Sequence, residues 1–72
     1  MGRPAVSSVR ASHLVQGDVI RLRDGRRVEV MAHSHRPHSP VANVRLWEIG
    51  TDAPNFSFTL RADSLYDVEP EG

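Results

Sequence analysis

Between Asp18 and Ala32 the chain alternates apolar and polar residues on either side of an Asp24-Gly25 dipeptide. Few folds accept that pattern. Side chains in an extended strand point to opposite faces in turn, so a period of two marks a half-buried strand. Ile20 and Leu22 fall on one face, with Val19, Arg21 and Arg23 on the other; past the dipeptide, Val28 and Val30 rejoin the inner face. Asp-Gly is the pair that a two-residue type I′ turn calls for, because both of its central residues need positive φ. The segment therefore predicts a β-hairpin, and the fold must be built around it.

The remaining chain supplies three more strands. Residues 1–11 carry Gly, Pro and paired Ser with isolated apolar positions, and predict a flexible N-terminal arm. Ser12 is placed to cap one helical turn through His13, Leu14 and Val15, which Gly17 stops. Residues 33–40 (HSHRPHSP) hold two prolines and must be a loop. Val41 to Ile49 reads as a strand with Val44 and Leu46 on one side and Arg45, Trp47 and Ile49 on the other. A bulge or twist near Trp47 would reconcile its two apolar sides. After the turn-forming run GTDAPN, Phe56, Phe58 and Leu60 alternate inward on a fourth strand. Arg61 to Ser64 fits one tight helical turn, Leu65 to Val68 a short last strand, and residues 70–72 a polar end. The expected class is all-β: a small five-stranded antiparallel barrel over residues 12–69, with one short helical turn before the last strand. Closure of the sheet would remove the exposed edges that an open one carries.

Size limits what such a domain can do. Seventy-two residues make one domain. A core of this size supplies only ~3–5 kcal/mol net. The absence of cysteine excludes disulfide staples and thiolate metal sites. No apolar run reaches the ~20 residues of a membrane span, and the N-terminus lacks a signal peptide's apolar stretch. A soluble, cytoplasmic protein is expected. The predicted core of Ile20, Leu22, Val28, Val30, Leu46, Phe56, Phe58 and Leu60 leaves little room for a shaped pocket. With no phosphate-binding glycine loop either, a non-enzyme that needs no cofactor is expected.

Three segments carry a family resemblance: Leu14-x-x-Gly17-Asp18, the Asp24-Gly25 turn, and Phe58-Thr59-Leu60-Arg61-Ala62-Asp63. Over residues 14–69 the chain resembles a Src-homology-3-like (SH3-like) or KOW-type barrel, nearest the N-terminal domain of bacterial elongation factor P. The resemblance implies an SH3-like barrel and a ribosomal or RNA setting. The chain departs from that family at the loop tip. There the family presents a modified Lys or Arg between Gly and Pro, and this chain has His35-Arg36-Pro37-His38-Ser39-Pro40. Only Arg36 could stand at that position, without flanking glycines, so peptide-bond stimulation is not carried over.

Charge supplies the functional candidates. All nine basic side chains are Arg, and nine acids balance them. Residues 1–45 hold eight Arg against three acids, and residues 46–72 hold Arg61 against six. Arg21, Arg23, Arg26 and Arg27 cluster at the hairpin, with Arg45 extending the patch. Arginine pairs bidentately with phosphate and stacks on bases, so these five are the candidate contacts to RNA, DNA or a nucleoprotein machine of transcription or translation. Trp47 and Tyr66 are the aromatics available as stacking platforms. In a folded sheet the acids of the second half can instead neutralise the Arg residues across strands. The alternative is a protein-interaction or self-association module, docking through an outward apolar patch of Val19, Trp47 and Ile49. Size and Arg-rich composition also suit a small regulatory or bacteriophage-type protein. His33, His35 and His38 are a weak metal candidate, because no carboxylate within the loop orients the rings. The same histidines could instead confer pH dependence.

Overall fold

The computed structural model describes residues 7–69. Met1–Val6 of the predicted arm and the predicted polar end at residues 70–72 lie outside them. The strands are β1 (Ser7–Arg10), β2 (Val19–Arg21), β3 (Arg27–Ser34), β4 (Val41–Glu48), β5 (Phe56–Arg61) and β6 (Leu65–Val68). All neighbours are antiparallel, in the order β1-β6-β2-β3-β4-β5. The class is all-β, as expected, but the sheet has six strands rather than five and does not close.

The extra strand comes from the segment read as a flexible arm. Ser7 to Arg10 pair with Val68 to Leu65, with Val9 opposite Tyr66. Isolated apolar residues such as Val9 give no periodic signal alone; the partner strand β6 supplies the ordering contacts. Of the two helical turns expected, only the first forms, and it starts at Ala11, so Ser12 lies inside it rather than capping it. A single 3₁₀ turn at Ala11–His13 follows β1, whereas Arg61 to Ser64 form only a tight turn closed by the Ser64 amide on the Arg61 carbonyl, 3.1 Å. The 3₁₀ turn crosses the open side of the sheet. The Ala11 amide donates to the Ser64 carbonyl (2.9 Å), and the Ser12 amide to that of Ala62 (3.1 Å).

The hairpin forms with a different turn. Asp24 does not have positive φ; Gly25 does, at 94°. The Gly25 amide donates to the Leu22 carbonyl (2.9 Å) and the Leu22 amide to the Arg26 carbonyl (2.8 Å). This is a three-residue loop, a turn followed by a glycine in the left-handed region, which absorbs one residue more than a type I′ turn. Asp24 still has a part. Its carboxylate accepts from the Arg26 amide and from Arg26 Nε, bracing the turn from inside.

The expected bulge exists, but on β3. The register slips between Val30 and Ala32, leaving Met31 as the extra residue opposite β4. β4 itself alternates regularly, with Ala42, Val44 and Leu46 buried and Val41, Asn43 and Arg45 exposed. The core gathers Ala11, Leu14, Ile20, Leu22, Val28, Val30, Ala42, Val44, Leu46, Leu60 and Val68. Phe56 and Phe58 depart from the predicted core: Phe56 is half-buried and Phe58 is 44% exposed. Both lie on the inner face, opposite Leu46 and Val44. However, β5 is the last strand of an open sheet, and among the described residues no strand pairs with its far side. The 3₁₀ turn covers only the end of β5 near Leu60.

Candidate nucleic-acid interface

Strand register sets the outer face as a series of rows. Arg21 lies opposite Arg27; Val19, Glu29 and Trp47 form the next row; Ala32, Arg45 and Ser57 the next; Ser34, Asn43 and Thr59 the last. The Met31 bulge makes this layout possible, because without the extra residue Ala32 would turn inward.

The five candidate arginines do not all share this face and separate into two groups; Arg26 lies on the inner side, over the Phe56 ring. Arg27 is bound by Glu69 through two hydrogen bonds, Nε to Oε2 at 2.6 Å and Nη2 to Oε1 at 2.7 Å. The donated Arg27 bonds, with the Arg27 and Arg21 charges, hold the Glu69 carboxyl below its ordinary range. Arg26 is bound to Asp24 at 2.7 Å, lies 3.6 Å from Glu48, and sits 5.8 Å over the Phe56 ring. The Arg26 amide and guanidinium likewise hold the Asp24 carboxyl low. These two hairpin arginines are thus occupied by acids, two of which, Glu48 and Glu69, come from the acidic half of the chain. Arg21, Arg23 and Arg45 are exposed and make no ion pair among the described residues.

Arg45 stands in a shallow groove of about 300 Å³ bounded by β3, β4 and β5. Its outward lining is Ala32, Ser34, Asn43, Arg45, Ser57 and Thr59, with no carboxylate. The Thr59 hydroxyl donates to Asn43 Oδ1 at 3.0 Å. That bond occupies the amide's oxygen and leaves its two N–H donors outward. With the guanidinium and the serine hydroxyls, the groove presents hydrogen-bond donors around one cation, the arrangement that an anionic group accepts.

The apolar patch is less continuous than the sequence implies. Val19 and Trp47 do share a face, but Glu29 lies between them in register. All three are half-buried, as is Ile49, which follows β4. The Trp47 indole N–H is spent on the Thr51 carbonyl at 3.2 Å. Tyr66 is half-buried against the core.

The three histidines do not converge, and the predicted loop at 33–40 is shorter than expected, because His33 and Ser34 belong to β3. His33 Nε2 lies 2.8 Å from the Ala11 carbonyl, and His35 Nε2 lies 3.0 Å from that of Ser39. A carbonyl only accepts, so each of these nitrogens carries the proton and cannot ligate a metal while so engaged. His38 sits at the tip with φ of 65°, after Pro37 in a turn closed by the Ser39 amide on the Arg36 carbonyl. Among the described residues no group of three His, Cys, Asp or Glu side chains is arranged to hold a metal ion.

Asn43, Ser57, Thr59 and Ser34 were not candidates on sequence grounds. Alternation alone places Asn43 and Arg45 outward on β4, and Ser57 and Thr59 outward on β5. The register that sets the two pairs side by side is a long-range property. No known protein family, curated protein or solved structure matches this chain. No helix among the described residues is long and apolar enough to cross a membrane.

The two acid–arginine pairs predict an acid-sensitive component of stability. Asp24 and Glu69 both have lowered folded-state pKa values, so their contribution is present above the ordinary carboxylate range. It is lost as pH falls through the folded values. Urea midpoints from pH 6 down to 3 should decline, and the decline should be shallower in Glu69→Gln. An unchanged slope in that variant would show that the Arg27 pair contributes nothing.

Proposed function

We propose that this chain is a non-catalytic, cytoplasmic binding module that engages RNA or DNA, alone or within a nucleoprotein machine. Its contact surface is the outer face of β2 to β5 rather than the hairpin tip. The observation that carries the reading is the carboxylate-free, donor-lined groove around the unpaired Arg45. Arg21 lies on the same outer face, with Arg23 just beyond it in the hairpin loop, so a phosphodiester strand seated at Arg45 can reach further cations along the sheet. Arg26 and Arg27 have structural roles in this reading, bracing the turn and tying Glu69 to β3. An open antiparallel sheet with a bulged β3 and a 3₁₀ turn bonded to the β5–β6 turn supports reading the fold as an SH3-like barrel left partly open. The Val19, Trp47 and Ile49 patch is the weaker surface, because Glu29 interrupts it.

The test is binding of a fluorescent single-stranded oligonucleotide at several salt concentrations. Each phosphate neutralised contributes roughly 0.7 to the log–log salt slope for single strands. Arg45→Ala should weaken binding about tenfold and lower the slope by about that amount. Arg27→Ala should leave the slope unchanged. Salt-independent binding, or equal losses for Arg45→Ala and Arg27→Ala, would refute the outer-face assignment.

A further inference from the structure

The open sheet ends on β5, and this edge lacks the devices that normally block strand addition. From Ala53 to Leu60 there is no ionisable side chain, and within Phe56–Arg61 there is no proline. Ser57, Phe58 and Thr59 are all exposed. The unused backbone groups can be identified. The Ala62 amide donates to the Pro40 carbonyl at 2.9 Å, which extends the β4–β5 ladder by one pair. In an antiparallel ladder the hydrogen-bonded pairs alternate. Leu60, Phe58 and Phe56 therefore point their backbone groups at β4, and Thr59 and Ser57 point theirs at the free edge.

We infer that β5 pairs antiparallel with β5 of a second copy of this chain, about a two-fold axis at Phe58. The hydrogen-bonding parity and the side-chain pattern select the same register. Ser57 and Thr59 face the partner's Thr59 and Ser57, and their amides and carbonyls form four reciprocal bonds across the junction. Phe58 faces the partner's Phe58 at the closely spaced, non-hydrogen-bonded position, and Phe56 faces the partner's Leu60. Apolar residues thus meet apolar residues on the inner face, and hydroxyls meet hydroxyls on the outer one. The Phe56 and Phe58 rings already meet edge to face, with centroids 6.4 Å apart. Duplication brings four rings together and buries the exposed Phe58 ring.

Charge also favours a second copy as the occupant. The paired segment is uncharged, and the two Arg61 side chains lie at opposite ends, each facing the partner's Asn55. A paired strand of this length buries less than the ~1,000 Å² of a durable interface, so the dimer is weak and forms at high concentration. In this register the two Arg45 grooves lie on one continuous outer face. The inference does not depend on the nucleic-acid reading, and it is tested without nucleic acid.

The experiment is sedimentation equilibrium on the whole chain, from about 10 µM to about 1 mM, a range that brackets a weak dimer. The weight-average mass should rise from that of one chain toward that of two. Phe58→Lys places two ammonium groups face to face at the axis and should hold the protein monomeric throughout. Ser57→Pro removes a donor that β4 does not use, so the fold persists by circular dichroism while association is lost. In the wild type, the Ser57 and Thr59 amides should gain exchange protection at the higher concentration, a readout that needs no variant. A wild type that stays monomeric to 1 mM would overturn the inference. So would association that survives Phe58→Lys and Ser57→Pro, or one that Trp47→Ala abolishes.

Discussion

Replacing Leu46 with alanine is expected to unfold most of the protein at room temperature. Leu46 is fully buried on β4, between Val30 of β3 and Phe56 of β5. It lies in a central strand, so its neighbours cannot collapse into the space without breaking ladders on both sides. Large-to-small changes at such sites cost about 2–5 kcal/mol through lost transfer energy and residual cavity. A core of this size supplies roughly the same amount in total. Urea denaturation followed by circular dichroism should show little or no native baseline for Leu46→Ala. Phe58→Ala is the internal comparison, because the ring is largely exposed in one chain. At low concentration it should move the midpoint by less than about 1 kcal/mol. Equal losses for the two variants would mean that β5 is covered rather than open.

The second large effect is expected at Asp18, the one buried charged residue among those described, at 6% exposure. Its Oδ2 accepts the Val15 amide at 3.0 Å, and its own amide donates to the Val15 carbonyl at 3.1 Å. Its carbonyl receives the Val30 amide at 2.8 Å. Asp18 thereby fixes the turn that delivers β2 to β3. Asp18→Ala leaves the Val15 amide without its side-chain acceptor and should cost about 1–3 kcal/mol. Asp18→Asn keeps an acceptor oxygen of the same reach and should recover much of that loss. The check is the urea midpoint of each variant at pH 7. An Asp18→Ala midpoint equal to wild type would remove the carboxylate from the list of what holds the fold.

How far the sequence could be read differs between elements for physical reasons. The period-two pattern at Ile20, Leu22, Val28 and Val30 and the turn dipeptide between them are local, and the hairpin they predict is present. The same local rule misplaces Phe58, because alternation identifies a face without saying whether anything covers it. It also misses β1, whose apolar residue Val9 packs against the core and pairs with Tyr66, fifty-seven residues further on. The turn type was beyond local reading as well. Asp-Gly suits two loop lengths, and the pairing of Arg21 with Arg27 chooses the longer.

The candidate site divides in the same way. An arginine-rich first half and an acidic second half are visible as composition. Which cations the acids occupy depends on contacts such as Arg27 with Glu69, forty-two residues apart. Asn43, Arg45, Ser57 and Thr59 are outward by alternation, yet only the β4–β5 register makes them one donor-lined groove.

By itself, then, the sequence determined the all-β class, the first hairpin, the inner-face identity of most core residues and the cancellation of charge between halves. These rest on local sterics and on a side-chain period that needs no partner. Tertiary structure alone decided that the sheet has six strands and stays open, that Arg26 and Arg27 are held while Arg45 is not, and that β5 keeps a free edge. Each of these depends on strand order and register, which are set by the joint burial of residues distant along the chain and so are written in no single segment.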